Sequence, residues 1–255
     1  MKFLHKSERK AADTFERFIV GQSNRFAYTA ALAVAENPGD CNPLVIYGAP
    51  GLGKTHLLRA IGHAVQARNP SATIVYVDGS EFAEQMVHSI RERTQEKFRK
   101  KYRNADVLLV DDIQFIAGKE ATQEEFFHVF NSVCEAGGQV VIASSRPPKD
   151  LERLDDLLRS RFEGGLMVEI QPPNMETRKA IICAKSKDAG LELSDAAAAY
   201  MAERVTMNVS QIEGVLHQLA SRQKLLGEAI TLDSVKRAVA AMVDAATAEA
   251  RADSP

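Results

Sequence analysis

Long apolar runs, an excess of charge of one sign and any cysteine pattern are all missing from this 255-residue chain. No stretch approaches the ~20 apolar residues that a membrane-spanning helix needs, so any membrane contact would be peripheral. Lysine and arginine number 32 against 34 aspartates and glutamates, for a formal net charge of −2. That balance does not by itself require a nucleic-acid partner, although a local basic face stays open. The three cysteines, Cys41, Cys134 and Cys183, are odd in number and far apart. They have neither metal-ligand spacing nor a disulfide framework, which reads as reduced thiols in a cytosol. Met1 to Arg17 is mostly polar and charged and lacks the make-up of a secretory signal. The expected location is therefore the cytoplasm. The length suffices for one large core or two smaller ones.

What is present is organised around Gly48-Ala49-Pro50-Gly51-Leu52-Gly53-Lys54-Thr55. The pattern is G-x-x-x-x-G-K-T, a phosphate-binding loop. Pro43-Leu44-Val45-Ile46-Tyr47 before it reads as a buried strand, and His56 to Val65 after it has helical spacing. That is the strand–loop–helix setting the motif requires. The glycines let backbone N–H groups turn toward phosphate oxygens, and the helix N-terminus adds to the attraction. Lys54 would reach the β- and γ-phosphates, and the Thr55 hydroxyl would ligate Mg²⁺.

Further along, Thr73–Val77, Asp106–Asp112, Gln139–Ala143 and Leu166–Ile170 read as strands. The helices between them are expected at 80–90, capped by Ser80, at 122–136, where Thr122 and Glu125 have capping-box spacing, and at 155–161. Strands alternating with helices predict an α/β fold, a parallel sheet covered on both faces, with the ligand at the carboxyl ends of the strands. Asp106-Val107-Leu108-Leu109-Val110-Asp111-Asp112 ends in paired carboxylates about sixty residues after the loop, the spacing of a Mg²⁺ ligand strand. Asp111 would hold the metal through water, and Asp112 would orient or deprotonate the attacking water. A polar side chain closing the strand at Ser144-Ser145 would sit between the metal and the γ-phosphate.

Two stretches support two readings each. Ile19-Val20, just upstream of a helix over Ala27–Ala35, suits an adenine face or simply fills the core. Between Arg91 and Arg103, seven of thirteen residues are basic, with Phe98 and Tyr102 at i, i+4. Such a run suits a nucleic-acid backbone. It equally suits a solvated helix face with its aromatics turned inward, which composition alone favours. Gln171-Pro172-Pro173 then marks a boundary, and only helical patterns follow, at 175–189, 194–204, 209–226 and 232–242. The expected organisation is a flexible arm over 1–12, an α/β nucleotide-binding domain over 13–170, a helical lid domain over 171–243 and a flexible tail over 244–255.

These residues carry a specific resemblance. Phe18-Ile19-Val20-Gly21-Gln22-Ser23-Asn24, Ala30 to Gly39, Gly48 to Leu58, Leu109-Val110-Asp111-Asp112-Ile113-Gln114-Phe115, Gln123-Glu124-Glu125-Phe126-Phe127-His128, Ser160-Arg161-Phe162 and Glu213-Gly214 resemble the AAA+ ATPase region of the DnaA family of bacterial replication initiators. The likeness runs from about Thr14 to Met242. It implies an AAA+ fold with a five-stranded parallel sheet and a small all-α lid. It also implies ATP and Mg²⁺ as cofactors, with Ile19 and Val20 at the adenine. Gly48, Pro50, Gly51, Leu52, Gly53, Lys54, Thr55 and His56 would lie along the phosphates, and Thr55 and Asp111 at the metal. Asp112, Lys54 and Arg161 would be the catalytic groups, Arg161 acting as an arginine finger in a neighbouring subunit's ATP site. The helix pair around Phe82–Arg103 would build a filament lining a single-stranded DNA channel, with Val87, Lys97 and Lys119 as candidate contacts. That implication raises the nucleic-acid reading of the basic run to parity with the solvated one.

Departures from the family pattern qualify this. Ser210 stands where the lid's second-sensor arginine belongs, which should weaken ATP/ADP discrimination or slow hydrolysis. Ser145 replaces an aspartate of the strand-four sensor, Ala121 an arginine implicated in single-strand contact, and Leu157 an arginine one turn before Arg161. No helix-turn-helix pattern follows Met242, so sequence-specific duplex recognition is not expected of this chain. The expectation is tight ATP binding, slow turnover and ATP-dependent self-association, with single-stranded DNA as a possible partner. The alternative is a regulator similar to the Hda group, which binds DnaA and controls its nucleotide state without binding DNA.

Overall fold

A computed structural model of the chain describes residues 13–206 and 208–252. The arm expected at 1–12 and the last three residues of the expected tail lie outside the described residues. The chain folds into two compact units. The first comprises 13–18, Asn24–Ala49 and Gly53–Gln171, and the second Ile19–Ser23, Pro50–Leu52 and the chain from Pro172 onward.

The first unit is a five-stranded sheet with helices. Its strands are β1 (Leu44–Tyr47), β2 (Ile74–Asp78), β3 (Val107–Asp111), β4 (Gln139–Ser144) and β5 (Leu166–Glu169). All paired neighbours run parallel, in the order β2-β3-β4-β1-β5. β3 and β4 are buried at every residue, as strands covered on both faces must be, which explains their unbroken apolar runs. The order sets β4 between β1, which feeds the phosphate loop, and β3, which ends in Asp111. Three elements far apart in the chain thus deliver their carboxyl ends side by side.

The helices of this unit are α1 (Arg25–Glu36), α2 (Lys54–Arg68), α3 (Gly79–Arg91), α4 (Gln95–Arg103), α5 (Glu120–Glu135) and α6 (Asp156–Glu163). Two expected caps are corrected. α3 is capped by Asp78, whose carboxylate accepts from the Ser80 N–H at 2.7 Å, because the strand ends one residue later than its apolar run. α5 starts at Glu120 after Lys119, so Thr122 lies inside the helix, buried, and no Thr122–Glu125 capping box forms.

Glu125 instead clamps α4 to α5. Its carboxylate accepts from Arg99 Nη2 at 2.9 Å and from Arg103 Nη2 at 2.9 Å. Burial opposes its charge, but the two guanidiniums outweigh burial and hold its pKa below the ordinary glutamate value. Beneath the clamp, Phe82, Phe98, Tyr102 and Phe126 form one aromatic cluster, with centroids 5.0–5.4 Å apart around Phe82. Arg99 is half-exposed, so the Glu125→Gln substitution should cost only about 1–2 kcal/mol. The depressed pKa makes the clamp's contribution present above the ordinary value of 4.5 and lost as pH falls through the folded value. Thermal melts should show the unaltered protein's advantage at pH 7 and its disappearance on acidification. Equal melting temperatures at pH 7 would remove the clamp's energetic role.

The second unit is helical: α7 (Met175–Asp188), α8 (Asp195–Arg204), α9 (Val209–Leu226) and α10 (Leu232–Ala252). Its core joins Ile182, Met201, Ile212, Leu216, Val235 and Val239, all at most 2% exposed. Ser194 and Asn208 cap α8 and α9, and Thr231 and Ser234 exchange hydrogen bonds at the start of α10. α10 continues past Met242 to Ala252, where a frayed tail is expected. Alanines recur through this stretch, and alanine has the highest helix propensity. Among the described residues no helix is long and apolar enough to cross a membrane.

Candidate nucleotide-binding site

The loop between β1 and α2 has the backbone that its glycines allow. Gly48 has φ +149, and a Cβ there would fall 2.3 Å from Ile170 O. Gly53 has φ +100 and is the N-cap of α2. No side chain caps that end, so the first-turn N–H groups of a fifteen-residue helix stay available for an anion. Lys54, 6% exposed, donates from Nζ to Gly48 O at 2.7 Å and to Ala49 O at 2.9 Å. Burial lowers its pKa, and Asp112 and Asp111 oppose the shift. A buried ammonium facing two carboxylates and its own loop is a point charge placed for phosphate.

Asp111 closes β3 and is 3% exposed. Its Oδ2 accepts from the Tyr76 hydroxyl at 2.8 Å, its Oδ1 accepts from the Asp112 N–H at 3.1 Å, and the Thr55 hydroxyl also hydrogen-bonds it. Burial pushes its pKa up, and these donors oppose that shift. A hydroxyl and a carboxylate in contact beside Lys54 are hard oxygen donors that fit Mg²⁺, which keeps several waters and takes few protein ligands. No cluster of three or more His, Cys, Asp or Glu ligands occurs among the described residues.

Asp112 sits at φ +46, ψ +52, a left-handed conformation uncommon for a side-chain-bearing residue and characteristic of functional turns. Gln114 secures it. Its Nε2 donates to Asp112 Oδ1 at 2.8 Å while its Oε1 accepts from Ser145 N–H at 3.1 Å. Gln114 therefore ties the second carboxylate to the end of β4. Sequence reasoning assigned it no role, and its only signal was its place two residues after the acid pair. At the same strand end the Ser144 hydroxyl donates to Arg146 O at 2.6 Å and closes its own turn.

His56 follows Thr55, but its ring is committed to the segment before α1. Its Nε2 lies 2.7 Å from Thr14 O, its Nδ1 lies 3.4 Å from Asp13 Oδ1, and its ring meets Phe18 edge-on at 5.2 Å. Any part His56 plays toward a phosphate falls to its backbone N–H.

Ile19, Val20, Pro50, Gly51 and Leu52 belong to the second unit. There Ile19 packs on the helical core, Val20 is 40% exposed and Leu52 is buried. Val209 N–H donates to Gly51 O at 2.9 Å, and a Cβ on Gly51 would fall 2.7 Å from Ser210 Oγ. Ser210 thus lies against the loop tip with a short neutral side chain where an arginine is expected.

Arg161 is in the last turn of α6, exposed, with its guanidinium 6.0 Å from the Phe127 ring centre. None of the ion pairs among the described residues includes it. Leu157, one turn earlier, is 62% exposed. Val87, Lys97 and Lys119 are exposed too. The basic run divides. Phe98 and Tyr102 enter the core, Arg99 and Arg103 pair with Glu125, and Lys101 donates to Gln85. Arg91, Arg93, Lys97 and Lys100 remain exposed as the basic face.

Residues 9–169 match the family model described as the bacterial DnaA ATPase domain. The chain is 49% identical over 220 residues to the chromosomal replication initiator protein DnaA of Thermomicrobium roseum, covering 86% of this chain and 47% of that protein. It thus spans about half the length of that curated relative. Domain III of the Thermotoga maritima replication initiation protein DnaA superposes with a TM-score of 0.87 at 39% identity, covering 90% of this chain and 96% of that one. The replication initiator DnaA bound to AMPPCP and single-stranded DNA superposes with a TM-score of 0.75 at 42% identity, covering 84% and 65%. The fold is the AAA+ fold of DnaA domain III.

Proposed function

The chain belongs to the bacterial DnaA ATPase family, and on that premise we propose that it is an ATP switch of DNA replication initiation that assembles on single-stranded DNA when ATP is bound. The observation that carries this reading is the buried Lys54 ammonium, held on the loop carbonyls and faced by Asp111 and Asp112. The loop N–H groups and Lys54 bind the triphosphate. Thr55, and Asp111 through water, would hold Mg²⁺, which when bound neutralises phosphate charge. Asp112, fixed by Gln114, orients a water and accepts its proton. Arg161 supplies the charge that a neighbouring copy's γ-phosphate attracts, so assembly follows the nucleotide. Ser210 is uncharged where the family pattern has an arginine, which suits a slow ATPase that holds its state. A solved relative binds AMPPCP and single-stranded DNA together, which supports the pairing of the two ligands.

The test is single-strand binding measured by anisotropy in ATP and in ADP, beside a pull-down with full-length DnaA. Binding at least tenfold tighter in ATP supports the proposal. Capture of DnaA with no single-strand binding in either nucleotide would replace it with the regulatory reading.

A further inference from the structure

The metal-facing carboxylate is reached from two points on one helix. α2 starts with Lys54 and Thr55, and the Thr55 hydroxyl bonds Asp111 directly. One turn later on the same helix, Arg59 lies over the Tyr76 ring, its guanidinium carbon 5.4 Å from the ring centre. Tyr76 hands the contact on through its hydroxyl, 2.8 Å from Asp111 Oδ2. The sheet makes this reach possible. Asp78 is the register partner of Asp111, and Tyr76, two residues back, projects from the same face as Asp78. A diagonal neighbour across parallel strands is within reach only of a long side chain. A tyrosine spans the gap and carries a donor at its tip, whereas a phenylalanine would fill the same space without one.

The contact continues away from the site. Arg59 Nη1 donates to Asp13 Oδ2 at 3.0 Å, and Asp13 also faces His56 Nδ1 at 3.4 Å. The ring of His56 meets Phe18, which stacks on Tyr28 of α1 with centroids 5.9 Å apart. All these residues lie in the first unit. A carboxylate that takes a hydroxyl donor on one oxygen and a backbone N–H on the other has its rotamer set before any ligand arrives. Outer partners of this kind hold metal-ligating groups in place.

We propose that Tyr76 is the positioning residue for Asp111, and that Arg59 and Asp13 extend it into a chain tying segment 13–18 to the metal-holding carboxylate. This rests on the nucleotide site proposed above, and it adds a specific residue and a specific coupling to it. Tyr76 presents the carboxylate, Arg59 holds the tyrosine ring, and Asp13 holds the arginine. Displacement of segment 13–18 then reaches the metal through three side chains rather than through the loop.

The experiment titrates a fluorescent ATP analogue carrying a methylanthraniloyl label, in EDTA and across a Mg²⁺ series. EDTA reads the nucleotide site alone, so a failure there speaks against that site, and the Mg²⁺ series speaks to Tyr76. Tyr76→Phe should leave the EDTA affinity within about twofold and weaken the apparent Mg²⁺ constant about tenfold. Asp13→Asn should weaken the Mg²⁺ constant about threefold in the unaltered chain and not at all in the Tyr76→Phe background. An unchanged Mg²⁺ constant in Tyr76→Phe, or a loss of EDTA affinity as large as the Mg²⁺ effect, overturns the positioning role. An Asp13→Asn effect that persists in the Tyr76→Phe background overturns the chain.

Discussion

Replacing Lys54 by alanine should raise the dissociation constant for ATP at least ~100-fold. The ammonium is buried, and it donates at 2.7 and 2.9 Å to two carbonyls of the loop that it serves. It is a charge kept near Asp111 and Asp112 at a desolvation cost, which lowers its pKa. A triphosphate is the ligand that offsets that cost. The contacts that Lys54 would make to the phosphates are charge-assisted hydrogen bonds of roughly 1.5–3 kcal/mol each, and losing two of them gives the stated factor. Alanine also leaves the Gly48 and Ala49 carbonyls without that donor, so the measurement needs a companion melt to show an intact fold. Equilibrium binding of labelled ATP is the readout. A dissociation constant within threefold of the unaltered chain would mean that the nucleotide is held elsewhere.

Arg161→Ala should do the opposite kind of damage. It should leave nucleotide affinity of the isolated chain unchanged and abolish the difference in self-association between ATP and ADP. The reason is placement. Asp155 caps α6 by accepting from the Leu157 N–H at 2.8 Å, and the buried Leu158 and Phe162 fix the helix to its own core. Arg161 then projects into solvent from a fixed base, with its guanidinium 6.0 Å from the Phe127 ring centre. The planar guanidinium fork is itself pre-organised for a phosphate, so less freedom is lost per hydrogen bond formed. Removing one partner of a buried charge pair at an interface costs about 2–5 kcal/mol, roughly 30-fold or more in association. Sedimentation in ATP over a concentration series reads this directly. Unimpaired ATP-dependent assembly would assign the contact to another residue.

The parts of the site that were legible in the sequence are the parts made within one short stretch. The phosphate loop, its strand and its helix are contiguous, and so is the acid pair after Val110. Helix α9 was bounded by its own residues, with Asn208 capping its start and Gly227 ending it at φ +67. What stayed illegible depends on partners distant in the chain. Glu125 looked like half of a capping box, yet its partners are Arg99 and Arg103, 26 and 22 residues away. Tertiary attraction between two guanidiniums and a carboxylate outweighed a local pattern. Tyr76 looked like one more apolar strand residue, and its function as a donor to Asp111 depends on which strands are neighbours. The strand order is itself set by long-range packing that no local pattern encodes. Ser144 shows the local case, its hydroxyl donating at 2.6 Å to Arg146 O two residues on.

The structure also refines the basic run between Arg91 and Arg103. Its aromatics are core residues, so they give single-stranded DNA no stacking platform. Any strand held there would be held by its phosphates, through Arg91, Arg93, Lys97 and Lys100, and its affinity should fall with salt.

The central claim is that this chain is a switch whose assembly reports its nucleotide. Light scattering of the unaltered chain, at one concentration in ATP–Mg²⁺ and in ADP–Mg²⁺, tests it most directly. The expected result is a mass well above one chain in ATP, increased further by single-stranded DNA, and a mass near 27.9 kDa in ADP. The same mass in both nucleotides, with ATP shown to be bound, would contradict it.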